Sequence, residues 1–228
     1  MPVFQLTQKL LFPPPRLARE DGLLAVGGDL SQERLLLAYR LGIFPWFSED
    51  MPILWWSPDP RLILYPSDLK ISGRLKRTLR QNIFHTTLDR AFGQVISACA
   101  DVRLAAGEPT WIVGDMLAAY GRLHESGFAH SVEVWYGKEL AGGLYGVSLG
   151  GCFFGESMFT RVSNASKVAL VKLVDHLVRH EFDLIDCQIN TPHLLRMGAR
   201  EIPRPRFLAQ LRESLRKPTM KGKWSFND

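Results

Sequence analysis

The sequence has little of what secreted, membrane-spanning or disordered proteins need. Its 228 residues contain three cysteines, Cys99, Cys152 and Cys187, and no pair has CxxC spacing, so a disulfide framework is not expected. No apolar run approaches the roughly 20 residues of a transmembrane helix, and three prolines interrupt the apolar N-terminus where a signal peptide would need a continuous run. Charged residues make up 22% and hydrophobic residues 46%, which disfavours disorder. We therefore expect a cytoplasmic globular protein that is not in a membrane.

Patterns typical of several enzyme classes are also missing. His176 and His180 have i,i+4 spacing, but no HExxH motif surrounds them, so a structural role is expected and no metal is predicted. The serine of F-G-E-S-M-F does not lie in a G-x-S-x-G elbow, which disfavours a serine hydrolase. No internal repeat indicates a solenoid or a propeller.

Basic charge is what the chain has in excess. It has 28 Lys and Arg against 23 Asp and Glu, and residues 191–228 hold nine of the basic side chains against three acids. A second cluster at helical spacing consists of Arg74, Lys76, Arg77 and Arg80. Such clusters favour a polyanionic partner, although a solvated helix face is the ordinary alternative for each.

Hydrophobic periodicity changes along the chain and predicts a mixed fold. Helices are predicted after a cap at Asp29 or Ser31, over 89–105, over 110–127 and from about 164 to His180; strands are predicted over 131–136, 140–149, 152–159 and 182–190. The first three of these strands predict an antiparallel meander, to which the last strand returns after a helix. We predict an α+β or α/β layered fold, with a boundary near residue 63 that separates a smaller first part (1–63) from a larger domain (64–228).

Two carboxylates in apolar strands are the candidate site. In D-L-I-D-C-Q-I-N (183–190), strict alternation places Asp186, Gln188 and Asn190 on one face. A buried carboxylate is costly unless it is hydrogen-bonded or paired, so Asp186 is either structurally satisfied or functional. An amide beside a carboxylate can orient an amine. Glu156, in F-G-E-S-M-F, is either a satisfied acid before a helix or the polar anchor of an apolar pocket.

Seven ordered motifs carry a resemblance to a known family. They are G-L-L-A-V-G-G-D-L (22–30), Y-R-L-G-I-F-P-W-F (39–47), W-W-S-P-D-P-R (55–61), A-H-S-V-E-V-W (129–135), F-G-E-S-M-F (154–159), N-A-S-K (164–167) and I-D-C-Q (185–188). The chain resembles the bacterial leucyl/phenylalanyl-tRNA–protein transferase family from about residue 4 to about residue 207.

This resemblance implies an activity and a fold. The family moves a leucyl, phenylalanyl or methionyl group from its tRNA to the N-terminal Arg or Lys of a protein, and the new N-terminus directs that protein to the N-degron pathway. No cofactor, metal ion or ATP is expected. The larger domain is expected to resemble the N-acetyltransferase (GNAT) fold, with a mixed, largely antiparallel sheet flanked by helices.

The resemblance also assigns residues to roles. Asp186 would orient the acceptor amine or take its proton, two alternatives that stay open, and Gln188 would position the reacting groups. Glu156 would lie at the polar edge of an aminoacyl pocket formed by Leu144, Phe153, Met158, Leu170, Leu173 and Ile185. The terminal adenosine of the tRNA would be held by Trp46 and Trp111, with Tyr39 and Tyr120 as weaker candidates. The cluster Arg74, Lys76, Arg77 and Arg80 would contact tRNA phosphates.

Two departures and two rivals remain. Arg196–Ala199 reads R-M-G-A where the family usually has Ser-Leu-Gly-Ala, and residues after about 207 match little, so the RNA contacts of this end are not predicted.

An acyl-CoA N-acetyltransferase would need glycines to cradle a pyrophosphate, but residues 159–165 read F-T-R-V-S-N-A. A non-catalytic tRNA-binding protein would explain the basic clusters but not the strand carboxylates.

Overall fold

The computed structural model describes residues 3–105, 107 and 110–226, which form two β-sheets and seven α-helices. The strands are β1 (Phe4–Leu6), β2 (Leu23–Gly27), β3 (Phe44–Pro45), β4 (Leu54–Trp56), β5 (Arg61–Leu64), β6 (His85–Leu88), β7 (Ala129–Tyr136), β8 (Glu139–Leu149), β9 (Cys152–Thr160), β10 (Leu184–Gln188) and β11 (Arg200–Ile202). The helices are α1 (Gln32–Arg40), α2 (Gly73–Arg80), α3 (Phe92–Ala105), α4 (Gly114–Glu125), α5 (Ala165–Arg179), α6 (Pro192–Arg196) and α7 (Arg204–Ser214).

The two sheets divide the chain in order. The small sheet has the order β1-β2-β4-β3, and the large sheet has the order β11-β5-β10-β9-β8-β7-β6. In the large sheet β10 and β9 are parallel and every other neighbouring pair is antiparallel. Helices α3 and α5 both pack against β7, β8 and β9, and α4 packs against β7. The buried side chains of α3 and α4 belong to one hydrophobic cluster and those of α5 to another. The predicted α+β class, with a mixed and largely antiparallel sheet flanked by helices, is confirmed.

A common core joins the two sheets. The small sheet ends at Trp56 and the large sheet begins at Arg61, yet the buried side chains of Trp55 and Phe154 belong to one hydrophobic cluster. A second cluster lies around α5 and contains Leu170 and Ile185. The division into two domains near residue 63 stays a prediction.

The predicted elements are present with shifted ends. Helix α1 begins after Ser31, whose hydroxyl accepts from the Arg34 backbone N–H at 3.4 Å, as an N-cap does. Helix α3 begins at Phe92 and not at residue 89. Asp89 has a left-handed φ of 54°, and the backbone N–H groups of the next two residues donate to the Glu133 carboxylate. Helix α4 spans Gly114–Glu125 within the predicted 110–127.

The strands β9 and β10 pair for a short distance and then separate. Their register runs from Leu184 opposite Cys152 to Asp186 opposite Phe154, after which β9 continues to Thr160 and β10 ends at Gln188. The predicted strand over 182–190 is therefore too long. Gln188 has a φ of 58°, a left-handed conformation that ends the strand.

The C-terminal segment after α7 is part of the core. Trp224 is 1% exposed, and its backbone N–H donates to Asp89 Oδ2 at 2.8 Å. Its ring stacks on His130 with centroids 3.7 Å apart, and His130 Nδ1 also contacts Asp89 Oδ2 at 2.8 Å. The segment thus closes the α5 side of the large sheet, although the family motifs do not extend into it.

We predict that Trp224→Ala lowers the free energy of unfolding by about 3–5 kcal/mol, because it removes a fully buried aromatic side chain and leaves a cavity. Urea unfolding measures this change. The control is Tyr136→Ala, whose side chain is 54% exposed and whose removal should cost less than about 1 kcal/mol. Equal effects of the two variants would show that Trp224 does not anchor the segment.

Candidate active site

A cavity of about 290 Å³ opens where β9 and β10 separate. The six residues that the family resemblance assigned to one pocket all line it: Leu144, Phe153, Met158, Leu170, Leu173 and Ile185. Glu156 and Gln188 line the same cavity. The space is thus mostly apolar with a few polar groups on its wall, which is the usual composition of a small-molecule site.

Two tryptophans form another part of the wall. Trp46 and Trp111 both line the cavity, with ring centroids 6.1 Å apart in a T-shaped arrangement. Trp46 is 37% exposed, so part of its ring is available to a ligand. The guanidinium of Arg103 lies 4.1 Å from the centroid of Trp111. An aromatic wall with one exposed ring offers a stacking surface to a base.

Glu156 is held by a cluster of hydroxyl and amide donors. Tyr39 Oη donates to Glu156 Oε1 at 2.7 Å, and Tyr120 Oη donates to Oε2 at 2.9 Å. Gln188 Nε2 donates to Oε1 at 3.1 Å, and the two tyrosine hydroxyls also contact each other. The tyrosines are fully buried behind Glu156. Tyr39 and Tyr120 are therefore placed to hold Glu156, and they are not among the described residues that line the cavity.

Burial sets the protonation of this cluster. Burial raises the pKa of Glu156 to about 7, and the hydrogen bonds from Tyr39 and Tyr120 oppose this shift. The pKa values of the two tyrosines are raised above their usual range, also chiefly by burial. The cluster therefore contains a carboxyl group that titrates near neutral pH beside hydroxyls that stay protonated.

Asp186 is paired with Arg61. Arg61 Nε donates to Asp186 Oδ1 at 2.8 Å and Nη2 donates to Oδ2 at 2.7 Å. Both side chains are at most 1% exposed. The guanidinium lies between the rings of Phe44 and Phe207, 4.8 and 4.7 Å from their centroids. This fork-shaped pair uses both carboxylate oxygens, so Asp186 is not free to bind a ligand directly.

Asp186 also fixes the backbone of Gln188. The Gln188 N–H donates to Asp186 Oδ1 at 3.0 Å, and the Ile189 N–H donates to the Cys187 carbonyl at 2.8 Å around the left-handed Gln188. This is a γ-turn of the rare, strained form. A side-chain bond from Asp186 thus stabilises a conformation that turns Gln188 into the cavity.

The prediction that Asp186, Gln188 and Asn190 share one face of the strand is wrong, because the left-handed turn at Gln188 interrupts the alternation. Alternation placed Asp186, Gln188 and Asn190 together, but the register shifts between Asp186 and Gln188. Gln188 consequently lines the cavity beside Cys187, whereas Asp186 points to Arg61 in the core. Asn190 lies beyond the strand, is exposed, and donates to Glu201 Oε1 at 2.9 Å.

Sequence reasoning missed several residues of the site. Arg61 is the last residue of the W-W-S-P-D-P-R motif, and a signal for it existed, because a buried Asp in a strand requires a cation. His193 lines the cavity, and its Nε2 is buried without a hydrogen-bond partner among the described residues. Burial, Lys167 and Arg196 lower the pKa of His193. Nothing in the sequence around His193, which lies on the short helix α6, indicated that its side chain would line the cavity.

The basic cluster lies away from the cavity wall. Arg74, Lys76, Arg77 and Arg80 are all exposed on α2, whose buried residues are Leu75 and Thr78. Asn164, which precedes α5, donates to Thr78 Oγ1 at 3.2 Å and so connects α2 to the helix that lines the cavity. The four side chains are free of ion pairs within the described residues.

The described residues show neither a metal-binding cluster nor a membrane-spanning helix. No group of three or more His, Cys, Asp or Glu side chains there could hold a metal ion. None of the helices over this part of the chain is long and apolar enough to cross a membrane.

Comparison with known proteins agrees with the site. The family described as "Leucyl/phenylalanyl-tRNA protein transferase" matches residues 63–212, and the corresponding N-terminal domain family matches residues 28–59. The leucyl/phenylalanyl-tRNA–protein transferase of Syntrophobacter fumaroxidans is 65% identical over 94% of this chain and 92% of its own length. The protein of the same name from Desulfatibacillum aliphaticivorans is 62% identical over 99% and 97%.

Solved structures are more distant. An aminoglycoside acetyltransferase from a soil metagenome has a TM-score of 0.40 at 11% identity and covers 50% of this chain and 84% of its own. The structure of L-PGS from Bacillus licheniformis has a TM-score of 0.43 at 9% identity and covers 74% of this chain and 54% of its own.

A mostly apolar cavity with a few polar groups on its wall, at the separation of two parallel strands, belongs here to a transferase. The sequence matches define that transferase as an aminoacyltransferase. The chain belongs to the leucyl/phenylalanyl-tRNA–protein transferase family, as its motifs indicated.

We predict that Arg61→Met lowers the free energy of unfolding by about 3–5 kcal/mol, because it leaves the Asp186 carboxylate buried and unpaired. The double variant Arg61→Met/Asp186→Leu should regain most of that loss, since neither charge is then buried alone. Urea unfolding of both variants measures the difference. A single variant as stable as the double variant would contradict the pairing.

We predict that Glu156→Gln removes part of the pH dependence of stability. The pKa of Glu156 is about 7 in the fold, against 4.5 for an ordinary glutamate, so the native state holds a proton that the unfolded state has lost between these pH values. Glu156 therefore makes the free energy of unfolding fall as pH rises through this window, and the loss is complete above about pH 7. Unfolding of both proteins at several pH values measures it. A difference between them that does not change from pH 4.5 to 7 would contradict the raised pKa.

Proposed function

We propose that this chain transfers Leu, Phe or Met from its aminoacyl-tRNA to the N-terminal Arg or Lys of an acceptor protein. The observation that supports this best is the cavity, in which an apolar wall, the Glu156–Gln188 pair and two tryptophans meet. The product would carry a bulky apolar N-terminus, which would mark it for degradation through the N-degron pathway. The three cysteines are unpaired and buried, as suits a cytoplasmic protein.

The apolar wall is suited to the donor's side chain. Leu170 and Leu173 of α5 face Leu144, Phe153, Met158 and Ile185 of the large sheet across the cavity. A flexible or γ-branched side chain can enter such a space, whereas branching at Cβ places bulk at its entrance. Small apolar differences give about 1–3 kcal/mol of discrimination, so shape would select the donor.

The terminal adenosine of the tRNA would bind at the tryptophan side of the same cavity. The partly exposed ring of Trp46, beside Trp111, offers a stacking surface to the terminal adenine, which needs no base-specific hydrogen bond. Tyr39 and Tyr120 would support the same region through Glu156. The exposed basic side chains of α2, which are Arg74, Lys76, Arg77 and Arg80, would contact phosphates further along the RNA.

The reaction forms a peptide bond and breaks an ester bond. The neutral acceptor amine attacks the aminoacyl carbonyl carbon, loses a proton, and the 3′-oxygen of the tRNA leaves with a proton. The Gln188 side chain and Glu156 lie on the cavity wall and are the groups that would orient the amine. Asp186 would act through the Gln188 backbone, because Arg61 occupies its carboxylate. In this arrangement Asp186 is a positioning residue.

The test is a transfer assay with leucyl- or phenylalanyl-tRNA and a peptide that begins with Arg, beside an otherwise identical peptide that begins with Ala. Mass spectrometry should show the gain of one Leu or Phe on the Arg peptide. Gln188→Ala should lower kcat/KM by roughly 10²-fold, because it removes an orienting group at the reacting atoms. The matched control is Gln5→Ala, an exposed glutamine on β1, which should transfer at the wild-type rate.

Two other outcomes would change the conclusion. If tRNA binds but neither peptide gains mass, the chain is a tRNA-binding protein and the proposed activity is rejected. If Gln188→Ala and Gln5→Ala are equally active, transfer stands but Gln188 does not take part in it.

A further inference from the structure

One carboxylate beside the cavity wall has no part in the proposed reaction. Glu201 lies on β11, the edge strand of the large sheet, and is exposed. Its Oε1 accepts from Asn190 Nδ2 at 2.9 Å. Asn190 lies between Ile189 and Thr191, which both line the cavity. The hydrogen bond therefore holds Glu201 against segment 189–191, whose first and last residues line the cavity.

The register of the sheet places Glu201 in line with Gln188. Both residues pair with Leu62 of β5, from its two opposite sides. Two strand spacings separate the backbones of Gln188 and Glu201, which is about 10 Å. Directly paired residues point to the same face, and Leu62 packs in the α5 cluster with Leu144 and Ile185 of the cavity wall. Glu201 thus lies on the cavity face of the sheet.

Glu201 is also the carboxylate at this opening that is available to a cation. Asp186 is buried in its pair with Arg61, and Glu156 accepts from Tyr39, Tyr120 and Gln188. None of the ion pairs within the described residues includes Glu201.

The nearest basic side chains along the chain have other partners. Arg200 pairs with Asp68 and lies over the ring of Tyr65. Arg204 donates to the Ser57 carbonyl. Neither arginine therefore neutralises Glu201.

We propose that Glu201 binds the cationic side chain of the acceptor's N-terminal residue and thereby selects acceptors that begin with Arg or Lys. This inference rests on the proposed function. With its amine at Gln188, an acceptor would extend its side chain along the rim toward Glu201, over a distance that an extended Arg or Lys and the glutamate side chain span together. A guanidinium could donate to Oε2 of the Glu201 carboxylate while Asn190 Nδ2 donates to Oε1. Neutral side chains would leave the carboxylate unpaired, and acidic ones would be repelled.

The experiment measures transfer from phenylalanyl-tRNA to peptides that begin with Arg, Lys, Ala or Glu. Glu201→Gln should raise KM for the Arg and Lys peptides roughly tenfold or more, since a hydrogen bond to a charged group is lost. The kcat for these peptides should stay within about twofold, because the groups at the reacting atoms are unchanged. Glu201→Arg should raise KM further and improve transfer to the Glu peptide relative to the Arg peptide.

The matched control is Glu213→Gln, which removes an exposed carboxylate on α7 whose partner is Arg216. It should leave KM for every peptide unchanged. Asn190→Ala, which frees Glu201 to move, should raise KM for the Arg peptide less than Glu201→Gln does.

The outcomes separate this inference from the proposed function. If the wild-type protein modifies the Arg and Ala peptides equally, the proposed acceptor class is wrong. If it prefers the Arg peptide and Glu201→Gln keeps that preference, the proposed function stands and the role of Glu201 is rejected. If Glu201→Gln lowers kcat and KM is unchanged, Glu201 does not bind the acceptor and the inference is likewise rejected.

Discussion

The buried pair between Arg61 and Asp186 is the interaction on which the site depends. It joins β5 to β10 at Asp186, the last residue of β10 that pairs with β9 before these two strands separate. The guanidinium is held between Phe44 of the small sheet and Phe207 of α7, so one side chain connects three parts of the fold. The two charges compensate each other there and both carboxylate oxygens are bonded, while Arg61 Nη1 is buried without a hydrogen-bond partner among the described residues.

This pair has a consequence for the chemistry. Asp186 passes its constraint to Gln188 through the backbone N–H, and the strained turn then directs the Gln188 side chain to Glu156. Strain of this kind persists only where surrounding contacts determine the conformation. Asp186, the carboxylate that the sequence singles out, therefore does not line the cavity, whereas Gln188, two residues later, does.

Much of the fold and of the cavity could be predicted from the sequence. The change from helical to alternating periodicity gave the meander, α5 and the returning strand, and the motifs gave the family. The six apolar residues that the family resemblance grouped together do line one cavity. Element ends were less accurate, because they depend on distant groups, as when Glu133 binds the backbone N–H groups before α3.

The sequence by itself determined that Asp186 needed a partner, since a carboxylate in an apolar strand is costly alone. Only the tertiary structure decided that the partner is Arg61, which is 125 residues away in the chain and reaches Asp186 through the pairing of β5 with β10. Alternation likewise fixed the faces of β10 as far as Asp186. The position of Gln188 depended on a register shift and a left-handed φ, which arise from contacts between strands that no local pattern records.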